Sequence, residues 1–294
     1  MPAPFVIFCA DPLNPRSVEP DYAIEAEAAR NAGFSVVRLD HDYLDRQIDP
    51  TLSLKATRFD GAGEAVYRGW MMSAEAYEAL HLALLARSVR LSVSPQAYAA
   101  CHHAPGSYFA LSEWMPDTVW IDEDQIDDWA AIRTTLEPFG HTPLIVKDWV
   151  KSQASGYWSE ACFIADAADT EAVQRTIARF RDLQGDSLIG GLVFKQYVPL
   201  VPTGSPAYEY RAFVVDGQVV GCWPRSPQSG TLAPPPAALL DEVAARIPSP
   251  FASADFGRDE AGRWWLLEVG DGQVSGLPSA ADADPIFQAL RSCM

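Results

Sequence analysis

The sequence predicts an α/β domain at the N-terminus, followed by an α+β region with largely antiparallel sheets. Over the first ninety or so residues, short apolar runs alternate with amphipathic helical stretches, which is typical of a parallel sheet covered by helices. From residue 143 onward the chain is rich in strand patterns and carries two hairpin signatures. We therefore expect a first domain at 1–95 and a second at 96–294.

The N-terminal elements are expected in βαβ order. The apolar runs at 5–9, 34–39, 65–68 and 90–93 predict four strands. The periodic stretch at 21–32, ended by Gly33, predicts one helix, and 73–88 predicts a second with Ser73 as its N-cap. Strands joined by helices in this way pair in parallel.

The later part of the chain is predicted from turn chemistry. Asp216 and Gly217 lie between two strand-like arms at 209–215 and 218–223, and Asp-Gly tolerates the positive φ of a tight hairpin. The arms of a second hairpin are 251–256 and 263–269. The stretch at 95–138 is predicted to be helical and acidic, and the proline-rich stretch at 230–236 to be an exposed loop.

The charge balance excludes two classes of partner. The 294 residues include 22 Lys and Arg against 39 Asp and Glu, a net charge of −17. Nucleic acid and anionic membranes would be repelled over most of the surface. No signal peptide and no apolar stretch near the roughly 20 residues of a membrane span is recognisable, so a cytoplasmic protein is expected.

The five cysteines are an odd number at wide spacing, without a Cys-x-x-Cys pair. We interpret them as reduced and mostly structural. Cys101, followed by His102 and His103, would suit a metal or a thiol nucleophile, but no second ligand pair has a suitable spacing.

Two segments suggest a phosphate-binding and nucleotide-binding role. Lys147 interrupts the apolar run at 143–149 and needs an anion or a route to solvent, because a buried unpaired ammonium is costly. Lys151 and Ser152 begin a loop of small residues whose N–H groups can close over phosphates. The alternative is a snorkelling lysine beside an ordinary surface loop.

The strand pattern at 191–199 ends in residues suited to an adenine ring. Backbone groups at Gln196, Tyr197 and Val198 can face an adenine edge, with apolar neighbours on either side of the ring. The alternative is that these residues belong to the core.

Two carboxylates on the second hairpin predict a metal site. We expect Arg258 to pair near Arg263 across the turn. Asp255 then lies opposite Leu266, with Glu268 as its diagonal neighbour on the same face. Like charges repel at that distance unless a cation joins them, and Mg²⁺ prefers oxygen ligands. The alternative is a solvent-facing acidic pair.

Further polar groups extend this pattern. Asp271 and Gln273, just beyond the hairpin, are candidates to complete the metal shell. Arg211 and Arg225, at the two ends of the first hairpin, carry guanidinium groups that match phosphate oxygens, although strand arginines are also common on ordinary surfaces.

Arg68 is a candidate substrate ligand. It lies in Tyr-Arg-Gly-Trp at 67–70, at the end of a predicted strand, where open α/β sheets bind ligands. In the alternative interpretation Trp70 covers the core of the domain.

The order of these elements resembles the ATP-grasp superfamily over roughly residues 95–275, and the preceding α/β unit resembles the domain that usually precedes an ATP-grasp module. Within the superfamily, the segments 67–70 and 268–276 are similar to a bacterial and phage-associated ATP-grasp group. The resemblance implies an ATP-grasp fold, with ATP and Mg²⁺ as cofactors.

The resemblance also implies a role for each matching residue. In chain order, Lys147 would hold the α- and β-phosphates, the loop at 151–156 would fold over them, Gln196, Tyr197 and Val198 would line the adenine, Glu209 would hold a ribose hydroxyl or a lysine, Arg211 would face the transferred phosphoryl group, and Asp255 and Glu268 would bind magnesium.

Two positions depart from the pattern of the superfamily. An earlier nucleotide-binding lysine is missing, and His103 is the nearest basic group. Gly270 stands where Asn is usual, two residues after the metal-binding glutamate, and Asp271 or Gln273 would substitute for it.

The implied function is an ATP-dependent ligase that activates a carboxylate as an acylphosphate and joins it to an amine. Its partners would be ATP and small-molecule or peptide carboxylate and amine substrates. A catalytically silent ATP-binding module and an ATP-grasp phosphotransferase remain as alternatives.

Overall fold

The structure is a computed structural model that describes residues 3–150, 152–202, 208–279 and 281–294. Contacts divide the chain into two compact units. The first unit comprises Met1–Cys101, Tyr208–Phe256 and Val269–Met294, and the second comprises His102–Ala207 and Gly257–Glu268. The first segment of the first unit ends close to the domain boundary expected at residue 95, but this unit also takes in two later segments. The division into domains at 1–95 and 96–294 therefore stays a prediction.

The elements of the described ranges follow in chain order. The strands are β1 (Phe5–Asp11), β2 (Asn14–Val18), β3 (Ser35–Leu39), β4 (Gly63–Arg68), β5 (Val89–Leu91), β6 (Thr118–Asp122), β7 (Leu144–Asp148), β8 (Phe163–Ile164), β9 (Gly191–Gln196), β10 (Glu209–Val215), β11 (Gln218–Pro224), β12 (Phe251–Arg258) and β13 (Trp264–Asp271). The α-helices are α1 (Ala23–Asn31), α2 (Asp42–Gln47), α3 (Pro50–Ser53), α4 (Ala74–Leu85), α5 (Pro95–His102), α6 (Ala104–Leu111), α7 (Trp129–Leu136), α8 (Ala154–Tyr157), α9 (Thr170–Gln184), α10 (Ala237–Ala244) and α11 (Asp284–Ser292).

The first unit contains the parallel sheet that the sequence predicts. β1 pairs in parallel with β3 and β4, and β4 pairs in parallel with β5. The run from Phe5 to Cys9 is fully buried, as expected for a strand covered on both faces. Ser73 caps α4 by accepting a hydrogen bond from the backbone N–H of Ala76. The apolar face of α11 packs into the same core.

A four-stranded sheet of order β11-β10-β12-β13 follows. Asp216 and Gly217, with φ of 48° and 73°, form the tight turn between β10 and β11, which confirms the Asp-Gly hairpin. β12 and β13 begin and end in the first unit and pass through the second. At their turn the N–H of Asp259 donates to the C=O of Arg263, so the closing pair lies one residue from the expected pairing of Arg258 with Arg263.

The second unit is built on an antiparallel sheet of order β6-β9-β7-β8. Its core combines apolar strand residues with helix residues such as Val173, Ile177 and Phe180 of α9. The α/β and antiparallel α+β architecture agrees with the predicted fold class.

Three elements differ from the sequence prediction. β6 lies in a stretch predicted to be helical, α10 follows the predicted proline-rich loop directly, and α8 with a π-helical turn at Trp158–Cys162 replaces the end of the predicted phosphate loop. In the described part of the chain, no helix combines the length and apolarity that a membrane crossing requires.

Candidate functional site

Two lysines lie on one face of the sheet in the second unit. Lys147 is in β7 and Lys195 is in the neighbouring strand β9. Ile145 pairs with Lys195 and Lys147 pairs with Val193. Because side chains alternate with a period of two, this register places both lysines on the same face as diagonal neighbours.

Glu268 is the anion that Lys147 requires. The Nζ of Lys147 lies 2.7 Å from Oε1 of Glu268. The lysine side chain is 15% exposed and the glutamate side chain is 50% exposed. The pair therefore combines a largely buried cation with a carboxylate that solvent reaches, as a site for an incoming ligand requires.

Lys195 is the functional residue that sequence reasoning missed. Its Nζ donates to the C=O of Leu267. Burial of the ammonium group, together with repulsion from Lys147, lowers the Lys195 pKa to about 8, although Glu268 acts in the opposite direction. In the sequence this lysine is one polar residue at the end of an apolar run. Only the pairing of β7 with β9 shows that it shares a face with Lys147.

The predicted adenine-binding residues continue from β9. The backbone N–H groups of Gln196 and Tyr197 donate to the C=O groups of Asp117 and Pro143, so neighbouring segments of the protein use these two donors. What the strand end presents is aromatic surface: the Tyr197 ring lies 5.0 Å from the Phe163 ring.

Trp158 completes this aromatic group, at 5.9 Å from Tyr197 and 5.8 Å from Phe163 between ring centroids. Val198 lies just beyond the end of β9 and is half-buried. Adenine contacts by residues 196–198 stay a prediction.

The predicted phosphate loop is described only in part. Lys151 lies outside the described residues, and Ser152 is exposed. Next to it, Gln153 Nε2 donates to Gln184 Oε1, and Gln184 Nε2 donates to Oδ2 of buried Asp148 at 2.5 Å. This chain of amides ties the start of the loop to the end of β7.

In the first unit the structure brings together three predicted residues. Arg211 forms a two-bonded ion pair with Asp255, with Nε 2.7 Å from Oδ1 and Nη2 2.8 Å from Oδ2. Arg225 Nη1 lies 2.8 Å from the same Oδ2 and 3.3 Å from Oε2 of Glu209. The Asp255 side chain is only 5% exposed, whereas that of Arg225 is 40% exposed. Arg225 is thus accessible to an anion from solvent.

The predicted metal ligands differ in how well they suit magnesium. Both oxygens of Asp255 already accept from guanidinium groups. Asp271 is fully buried, and this burial raises its pKa to about 7. Glu268 is half exposed and suits a hard cation, since Mg²⁺ in nucleotide sites takes one or two carboxylates plus phosphate oxygens.

Among the described residues, no group of three or more His, Cys, Asp or Glu side chains is placed to hold a metal. Such a group is not required where phosphate oxygens supply the remaining ligands. Metal binding by Asp255, Glu268 and Asp271 therefore stays a prediction.

The structure gives a physical reason for glycine at position 270. A Cβ there would lie 2.8 Å from Ser275 Oγ and 2.9 Å from Ser253 Oγ. These hydroxyls hydrogen-bond to each other at 2.6 Å. The serine pair fills the space that an asparagine side chain would need. Gln273, which the sequence offered as a substitute ligand, is fully buried and hydrogen-bonds to Tyr67, Tyr77 and Asp271.

Arg68 is buried rather than cleft-facing. It is 1% exposed, its Nε and Nη2 pair with Glu25 at 2.6 and 2.9 Å, and its Nη1 donates to the C=O of Gln273 at 3.1 Å. A strand-end arginine was expected to face a substrate, but these contacts direct the guanidinium into the core of the first unit. Its role as a substrate ligand stays a prediction.

His103, the basic group nearest to the missing lysine, precedes α6, and its ring lies 5.5 Å from that of Trp149. The cysteines are free thiols, and Cys9, Cys101 and Cys162 are buried. Burial raises the pKa of the Cys9 thiol to about 11. These observations agree with a structural role for the buried cysteines.

A strand lysine paired with a carboxylate, followed by an aromatic strand end and arginine-bearing hairpins, defines a nucleotide-binding domain of the ATP-grasp type. The model of an ATP-grasp domain family, described as family 3 of its clade, matches residues 137–290, which is more than half of the chain. The chain belongs to this ATP-grasp family, as the resemblance predicted.

Solved structures show the same fold over nearly the whole chain. The D-cycloserine synthetase DcsG is 18% identical with a TM-score of 0.58, covering 98% of this chain and 99% of that one. An ATP-grasp RimK domain protein from Sphaerobacter thermophilus DSM 20745 is 12% identical with a TM-score of 0.61, covering 99% and 98%.

The ATP-grasp ligase PsnB, in a complex with a precursor variant, Mg and ADP, is 14% identical with a TM-score of 0.58, covering 98% and 96%. No curated protein matched the chain. At these identities the structural likeness concerns the fold.

Proposed function

We propose that this protein is an ATP-dependent ligase that activates a carboxylate as an acylphosphate and joins it to an amine. The observation that carries the proposal is the placement of Lys147 and Lys195 on one sheet face with Glu268 as the partner of Lys147. Two ammonium groups against one carboxylate leave positive charge for a polyphosphate. Membership of the ATP-grasp family and the ligase neighbours DcsG and PsnB support the same activity.

The reaction has two steps. A carboxylate oxygen of the substrate attacks the γ-phosphorus of ATP, the bond from that phosphorus to the β–γ bridging oxygen breaks, and ADP leaves. The amine nitrogen then attacks the acyl carbon, inorganic phosphate leaves, and the nitrogen loses a proton to form the amide. Positioning and charge stabilisation supply the rate, so no side-chain nucleophile is needed.

Each candidate residue has a part in this proposal. Lys147 and Lys195 hold phosphate oxygens, and Arg211 and Arg225 stabilise charge on the transferred phosphoryl group. Magnesium, bound with the nucleotide, neutralises phosphate charge, and Glu268 is the carboxylate suited to hold it.

The substrate class is proposed to be a small-molecule or peptide carboxylate with an amine acceptor. Structures of PsnB and of the macrocyclase MdnC contain precursor peptides, and DcsG is named as a D-cycloserine synthetase. Both amino-acid-like and peptide substrates therefore belong in the first screen.

The test is ADP release measured against pooled amino acids, small carboxylates and short peptides, each with and without added amines. The ligase predicts an amide product that requires both a carboxylate and an amine. A phosphorylated acceptor would indicate phosphotransfer, and Mg-ATP binding without ADP release would indicate a silent module. Lys147→Met should abolish the signal, whereas Lys55→Met, at an exposed lysine, should retain it.

A further inference from the structure

We propose that Gln273 is a positioning residue, which holds Arg211 in place through the segment 271–276. The inference rests on the proposed function, because it assigns Arg211 to the phosphoryl group. Gln273 is fully buried in the first unit, and its contacts run toward two different parts of that unit.

The first set of contacts lies at the end of β4. Gln273 Oε1 accepts from the backbone N–H of Tyr67 at 3.1 Å. The Gln273 C=O accepts from the N–H of Gly69 at 3.0 Å and from Arg68 Nη1 at 3.1 Å. β5, the neighbour of β4, ends at Leu91, which pairs with Ala65. A single glutamine therefore satisfies main-chain donors of β4 beyond the end of its neighbouring strand.

Arg68 makes this attachment rigid. Its Nε and Nη2 donate to the two carboxylate oxygens of Glu25 in α1, and its guanidinium lies 5.3 Å from the centroid of the Tyr22 ring. A buried guanidinium with a two-bonded carboxylate has few alternative orientations. The C=O of Gln273 is thus bound to a group that is itself fixed on a helix.

The second set of contacts follows along the segment. The C=O of Asp271 accepts from the N–H and Oγ of Ser275 at 3.1 and 2.8 Å, and Ser275 Oγ lies 2.6 Å from Ser253 Oγ of β12. The C=O of Gly276 then accepts from Arg211 Nη1 at 2.9 Å. Arg211 is consequently held from two sides, by its carboxylate partner and by this carbonyl.

Loss of the amide should disturb the whole segment. Gln273 Nε2 donates to Asp271 Oδ1 at 3.1 Å, so truncation deprives both that oxygen and the Tyr67 N–H of this amide. A segment that relaxes at residue 273 carries the Gly276 carbonyl with it. Arg211 then loses one of the groups that fix its position.

The activity test compares Gln273→Ala and Gln273→Glu with Thr57→Val. Glutamate keeps the shape and one acceptor but lacks the amide donor. Thr57→Val removes a different buried hydrogen bond of the first unit, from Thr57 Oγ1 to the C=O of Arg38. We expect kcat for ADP release to fall about 10- to 100-fold in both Gln273 variants, with the ATP dissociation constant within about twofold of the parent. Thr57→Val should keep its kcat.

A second readout does not depend on turnover. The Arg211 Nε–H signal in a ¹⁵N NMR spectrum, identified by its loss in Arg211→Lys, should exchange slowly in the parent and in Thr57→Val, and faster in both Gln273 variants. An unchanged signal in the Gln273 variants would overturn the proposal, as would an unchanged kcat. A parent that shows no turnover with any substrate pool counts against the ligase function, and the NMR comparison still decides the role of Gln273.

Discussion

At the scale of single residues, the charges around Lys147 explain why a lysine is tolerated within an apolar strand. Its ammonium is largely buried, but it lies 2.7 Å from a carboxylate that solvent reaches. The sequence alone indicated that this lysine needs an anion, because an unpaired buried ammonium is costly. It did not show that Glu268 is the anion at Lys147, because this contact joins residues that are 121 positions apart.

Glu268→Gln keeps the shape of the side chain and removes its charge. The variant should melt close to the parent temperature, because the group is half exposed, while ADP release should fall on the order of 100-fold or more. The physical reason is that the lysine pair loses its anion and the nucleotide-bound cation loses its carboxylate. Melting curves and initial rates in limiting Mg²⁺ check both parts.

A matched control for this variant is Glu260→Gln, at an exposed glutamate in the turn between β12 and β13. It should leave the rate unchanged. If Glu268→Gln consumes ATP as fast as Glu260→Gln does, Glu268 is not part of the reacting site.

The arginines show how far residue chemistry alone can be taken. The guanidinium groups of Arg211 and Arg225 were predicted from their place at the ends of a hairpin, and the structure places both on Asp255. The same argument placed Arg68 toward a substrate, whereas the structure buries it against Glu25. Both positions read alike in the sequence, because the partner that decides the orientation is distant along the chain.

At the scale of elements, local signals were sufficient where the structure is local. The Asp-Gly turn, the Ser73 cap and the βαβ order depend on neighbouring residues, and they were predicted correctly. β6 was missed because its pairing with β9 lies far along the chain and its own sequence follows a helical, acidic stretch. α10 was missed because the prolines before it suggested a longer loop.

Gly217→Ala tests the hairpin turn. Gly217 has φ of 73°, and the nearest atoms to an added Cβ are 3.9 Å away, so the substitution strains the backbone without a clash. We expect a loss of about 1 kcal/mol in the free energy of unfolding. Denaturant titration measures it.

The control for the turn is Gly230→Ala, at an exposed glycine with ordinary φ and 3.6 Å of space around an added Cβ. It should be neutral or slightly stabilising. Equal stabilities for the two alanine variants would show that the left-handed turn is not required.

At the scale of the whole molecule, the net charge of −17 makes local clusters of cations informative. An acidic surface repels nucleotides in general, so a nucleotide site needs concentrated positive charge. Lys147 and Lys195 supply it in the second unit, and Arg211 and Arg225 supply it in the first. The fold class and the family followed from the order of elements along the chain, whereas Lys195 required the pairing of strands.

The most direct test of the central claim is calorimetric titration of Mg-ATP into the parent protein and into Lys147→Met, Lys195→Met and Lys55→Met. We predict binding by the parent and by Lys55→Met, with affinity lowered about 10- to 100-fold in the other two variants. Mg-ATP at 100 times its dissociation constant should also stabilise the parent by about 2.7 kcal/mol. Absence of binding to the parent at millimolar Mg-ATP, or equal affinity in all four proteins, would contradict the account.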